Sequence, residues 1–73
     1  MRNRRLFQLF KLLKNTTKDT IKVYFVKHSV LDLLLRFGAI KAFRERKDYI
    51  ELKVKEINKT EEELEEFSKE FKL

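Results

Sequence analysis

The chain has no cysteine, no proline and no tryptophan, and only one glycine (Gly38) and one histidine (His28). Without cysteine no disulfide can staple a fold of 73 residues, and the absence points to an intracellular, cytoplasmic setting. One histidine and no cysteine exclude the usual zinc sites, which draw on several such ligands. One glycine cannot make a glycine-rich phosphate loop. His28 has no serine, cysteine or aspartate constellation that would make it a general base, so it is read as a helix-entry residue. No enzyme, metal or cofactor is expected. Long apolar runs are also missing. The longest, Val23, Tyr24, Phe25 and Val26, falls far short of the ~18 residues that a membrane span requires. The first residues have a basic start and an apolar stretch from Leu6 to Leu13. Gln8 and Lys11 interrupt that stretch and no small-residue cleavage site follows, so a signal peptide is not expected.

Acidic residues are absent from one region in particular. Residues 1–18 hold Arg2, Arg4, Arg5, Lys11, Lys14 and Lys18 and no acid. Residues 60–73 reverse this, with Glu61, Glu62, Glu63, Glu65, Glu66 and Glu70 against Lys69 and Lys72. The net charge of +6 is therefore laid out as a dipole with a basic head and an acidic tail. A basic segment on a packed domain usually meets a polyanion, either nucleic acid or an anionic membrane. Charged residues make up 41% of the chain, chiefly lysine and glutamate, a thermophile-like composition. Seven phenylalanines and two tyrosines are too many for a disordered tail. The length allows one small domain, with residues 1–18 as a basic amphipathic arm and 19–73 as its core. Such a core is marginal unless dense packing, oligomerisation or a partner supports it.

Hydrophobic periodicity predicts the elements. Residues 3–14 form an amphipathic helix whose apolar positions, Leu6, Phe7, Leu9, Phe10, Leu12 and Leu13, cover roughly 220° at ~100° per residue. That arc is wider than one core contact needs. Residues 20–26 read as a strand, with Ile21, Val23 and Phe25 on one face and Lys22, Tyr24 and Val26 on the other. Residues 29–37 read as a helix capped by Ser29. An Asp32 and Arg36 pair marks its wet stripe, and Gly38 is the left-handed residue after it. Residues 39–57 read as a hairpin. A loop at Arg46, Lys47 and Asp48 pairs Ile40, Ala42 and Arg44 with Val54, Leu52 and Ile50, placing Lys41 and Phe43 outside. A two-residue turn at Arg46 and Lys47 is the alternative, and would pair Lys41 with Leu52. Lacking glycine or asparagine, the preferred loop leaves Asp48 to take any positive φ. Residues 60–72 form a last helix, with a capping box of Thr60 and Glu63 and an apolar face of Leu64, Phe67 and Phe71.

The expected class is α+β: an N-terminal helix, then a β-α-β-β-α unit with a three-stranded antiparallel or mixed sheet. The last five elements resemble a split βαβ, or ferredoxin-like, unit without its fourth strand. The resemblance covers residues 20–72, is one of topology, and implies no activity. It implies that the third strand lies between the first and second, that the crossover is right-handed, and that the first strand lies at an edge.

Candidate contacts with a polyanion fall in three places. The first is the basic stretch of Arg2, Arg4, Arg5, Lys11, Lys14 and Lys18. Arginine grips phosphate through two parallel hydrogen bonds, which lysine cannot do. The second is the outer sheet face, expected to carry Lys22, Tyr24, Val26, Lys41, Phe43, Tyr49, Lys53 and Lys55. Rings among lysines suit RNA, because bases stack on the rings and phosphates meet the ammonium groups. The plainer expectation is that the N-terminal helix lies on this face and buries Tyr24 and Phe43 against Phe7, Phe10 and Leu13. The third is the hairpin tip with Arg46 and Lys47, a basic knob or an ordinary charged turn.

These features lead us to expect a small basic non-enzymatic nucleic-acid-binding protein. Its partner would be RNA or a ribonucleoprotein particle such as the ribosome, since no helix-turn-helix, zinc-finger or basic-zipper pattern is present. Two alternatives stand beside it. One is a homodimeric interaction or regulatory module joined through the first strand's edge or the N-terminal helix. The other is a peripheral membrane or complex subunit held by that helix at an anionic surface.

Overall fold

Residues 3–71 are described in the structure, a computed structural model. The elements run α1 (Arg4–Asn15), β1 (Thr20–Val23), α2 (His28–Phe37), β2 (Ile40–Glu45), β3 (Ile50–Val54) and α3 (Glu61–Phe71). The class is α+β. The sheet is antiparallel throughout, in the order β1-β3-β2, with β1 at an edge as the split βαβ arrangement implied. The likeness to that arrangement rests on this strand order and is loose beyond it.

Strand pairing separates the two faces of the sheet. Ile21 faces Leu52 and Val23 faces Ile50 across β1 and β3, and Phe43 faces Leu52 across β2 and β3. These side chains point to the core. Thr20, Lys22, Ala42, Arg44 and Lys53 lie on the other face and are exposed, with Glu51 partly covered between Lys22 and Arg44. The helices therefore pack on one face and leave the other open.

Neither hairpin register expected from the sequence is found. Ile40 does pair with Val54, but a bulge between Ile40 and Ala42 shifts the ladder by one, so that Phe43 meets Leu52 and Glu45 meets Ile50. The extra residue lets Ile40 and Phe43, which are three apart, both face inward, which an unbroken strand forbids. The turn closes when the Arg46 amide donates to the Tyr49 carbonyl at 2.8 Å. Asp48 does not have positive φ.

α1 belongs to the core. Leu6, Phe7, Leu9, Phe10 and Leu13 are all buried in one cluster with Leu31, Leu34, Phe37, Ile40, Leu52 and Leu64. They span about 160° of the helix at ~100° per residue. Leu12, outside that arc, is half exposed. Burying an aliphatic or aromatic side chain contributes about 1.5–3 kcal/mol, so this helix is not a detachable arm. It packs on the inward face, so the expected covering of the outer face by α1 is not seen. Asn3 caps it, its side-chain oxygen accepting from the Leu6 amide at 3.1 Å.

The ends of α2 divide between expectation and correction. Gly38 has φ of 90° and closes α2 as expected. Its amide donates to Leu35 and Leu34 carbonyls, and the Ala39 amide donates to Leu34 at 2.9 Å, a Schellman closure. Lys59 adds a donor, its ammonium reaching the Phe37 carbonyl at 2.7 Å. At the start, Ser29 is not the cap. Lys27 holds that position with no side-chain cap, and its carbonyl accepts from Val30 and Leu31. The Thr60 and Glu63 capping box of α3 forms in both directions, each bond at 3.2 Å.

Candidate nucleic-acid interface

β1 stops at Val23, three residues earlier than its composition predicts. Val23 and Val26 are both buried, yet residues three apart on a strand point to opposite faces. The chain reconciles them with a turn in which Phe25 has φ of 55°, the left-handed region. Phe25, expected on the inner face, is thereby turned wholly into solvent, and Tyr24 is half exposed beside it. Val26, expected outside, is inside.

This turn gathers charge and rings at one end of the sheet. The guanidinium of Arg5, the second residue of α1, donates to the Tyr24 carbonyl at 2.8 Å. The Tyr24 and Tyr49 rings lie 6.5 Å apart. The Lys22 ammonium sits 4.7 Å from the centre of the Tyr49 ring, a cation–π contact. Tyr49 also ends the turn that carries Arg46 and Lys47, both exposed. Arg5, Lys22, Tyr24 and Tyr49 thus form one connected cluster, and the basic turn is continuous with it.

The other expected residues lie elsewhere. Arg2 is outside the described residues. Arg4 is exposed on α1. Lys11 reaches Glu61 of α3 at 3.6 Å, so the basic head meets the acidic tail within one molecule. Lys14 lies 5.7 Å over the Phe10 ring. Lys18 is exposed in the segment before β1, at the far end of the sheet. Lys41 is exposed at the bulge, and Lys53 is on the open face opposite Thr20 and Ala42. Phe43 is corrected: it lies on the inward side, half-buried against the core, with its ring 6.2 Å from that of His28. His28 in turn contacts the Glu45 carboxylate. The open sheet face therefore carries Lys22, Lys53, Arg44 and Glu51 without a central ring, and the aromatics sit at its end.

Phe25 escaped the sequence reading because strict alternation assigned it to the core. No glycine or asparagine marks the turn. The one available signal was that Val23 and Val26 both needed burial.

Among the described residues, no group of histidine, cysteine, aspartate and glutamate could hold a metal ion. No helix among them is long and apolar enough to cross a membrane. In comparison with known proteins, the chain matches no family model, no curated protein and no solved structure.

Proposed function

We propose that this is a small basic non-enzymatic nucleic-acid-binding protein whose partner is RNA or a ribonucleoprotein particle, met at the end of the sheet where α1 begins. The observation that carries this is the connected set of Arg5, Tyr24, Tyr49 and Lys22, with exposed Arg46 and Lys47 alongside. Rings flanked by cations are what stacked bases and their phosphates require. The net charge of +6 supports it. So does the gathering of six glutamates on α3 rather than on the strands and turns that carry these rings, since glutamates beside the rings would repel phosphate. A cytoplasmic location fits such a partner.

The edge of β1 is where a second reading, a homodimer, would be joined, but the edge itself argues against it. It is four residues long and carries exposed Lys22, and short lysine-bearing edges resist strand pairing. A membrane subunit has less support, since the apolar face of α1 that would enter the bilayer is already in the core.

The test is fluorescence anisotropy of a labelled single-stranded RNA over a salt series. Log affinity should fall linearly with log salt. Replacing Lys22→Gln and Lys47→Gln together should flatten the slope by about 1.4, from two contacts at ~0.7 each. An unchanged slope, or no binding at low salt, would sink the proposal. Light scattering on the same sample would reveal a dimer.

A further inference from the structure

We infer that Phe25 is a stacking residue for an unpaired nucleobase, so that this end of the sheet binds single-stranded RNA in preference to duplex. The inference rests on the nucleic-acid reading above and deepens it.

Two features of Phe25 need separate explanations. Its left-handed backbone follows from the fold, because Val23 and Val26 must both reach the core. Its side chain does not follow from the fold. Left-handed backbone is costly for any residue with a Cβ and a genuine outlier for a bulky one. Glycine or asparagine would make the same turn more cheaply. Nor does the ring contribute to packing, since it is fully exposed. A strained residue whose side chain does nothing for the fold points to function.

The surroundings specify the ligand. Tyr24 beside it is half exposed, while Tyr49 is already engaged by Lys22 and by Tyr24. Tyr24 and Phe25 are thus the rings left on offer, with Arg5 held on the Tyr24 carbonyl and Lys22 on the Tyr49 ring that meets Tyr24. A ligand that satisfies both has flat apolar faces and an anionic backbone. In a duplex those faces are hidden in the stack, so only unpaired bases can use the rings. A bilayer would instead need a continuous apolar face, and the nearest one, on α1, is buried.

The experiment compares wild type, Phe25→Gly and Phe25→Trp on a short labelled polyuridine strand and on an RNA duplex of equal length. Wild type should prefer the strand. Phe25→Gly should lose about five-fold or more in strand affinity, the smaller end of what one base–aromatic stack supplies. Its duplex affinity should hold, and Phe25→Trp should retain strand binding. The unfolding temperature of Phe25→Gly should equal or exceed that of wild type. A drop in that temperature would overturn the inference, because the ring would then support the fold. Equal wild-type affinity for strand and duplex, untouched by Phe25→Gly, would overturn stacking and leave the nucleic-acid reading standing. No binding of wild type to either RNA at low salt would remove both, as would flotation with phosphatidylglycerol vesicles in place of RNA binding.

Discussion

Gly38 and Phe25 are the two left-handed positions among the described residues, with φ of 90° and 55°. At Gly38 every local choice agrees. The residue without a Cβ takes the left-handed site, the Schellman bonds close, and Lys59 covers the last carbonyl. Phe37, one residue earlier, is buried against Phe10 and Phe67, with its ring centroid 5.9 Å from that of Phe10 and 5.3 Å from that of Phe67. At Phe25 the choices conflict. The backbone wants glycine, and the side chain belongs in a core it does not enter. One end of α2 is built for stability, and the loop leading to the other end tolerates a cost. Locally inconsistent positions in an otherwise consistent sequence are where function is expected.

Breaking the stable end should have the largest effect. Phe37→Ala should cost about 3–5 kcal/mol, as emptying a buried phenylalanine site does, and chemical denaturation would read it. Phe25→Ala measured alongside should leave the denaturation midpoint close to wild type. A similar loss at both positions would erase the distinction between them.

Gly38→Ala comes next, at about 1–2 kcal/mol for a Cβ on left-handed backbone. The added methyl would meet only the Lys55 and Lys59 ammonium groups, at 3.9 Å, so the cost should be conformational rather than steric. Phe25→Gly is the mirror experiment and should not lower the midpoint. A smaller effect sharpens the picture of the well-capped end. Thr60→Ala removes the hydroxyl that accepts from the Glu63 amide, one arm of the α3 capping box, and should cost about 1 kcal/mol. Smallest of all is Lys11→Ala. Its ion pair with Glu61 is largely exposed, and such pairs contribute about 0.2–1 kcal/mol, which salt should reduce further.

The same contrast marks how far the sequence can be read. Most local signals are matched, the Ser29 cap being the exception: Gly38 ends α2, Thr60 and Glu63 cap α3, and Asp32 pairs with Arg36 at 3.5 Å. The strand order also follows from the element order. Where the backbone departs from its period, the pattern misleads. The bulge at Lys41 moves Phe43 to the inner side, and the turn at Phe25 exchanges Phe25 with Val26. Both departures serve burial at a spacing of three, which no period-two reading contains. Arg5, Lys22 and Tyr24 were legible as candidates because charge and aromaticity are composition. Their meeting with Tyr49 was not, because it depends on where β1 ends.

The most direct test of the interface is an amide chemical-shift titration of the isotopically labelled protein with a short single-stranded RNA at low salt. Shifts are expected to concentrate on residues 22–28, on residues 46–50 and around Arg5, and to leave α3 unmoved. Shifts centred on α3, spread evenly over the chain, or absent at low salt would contradict nucleic-acid contact at this end of the sheet.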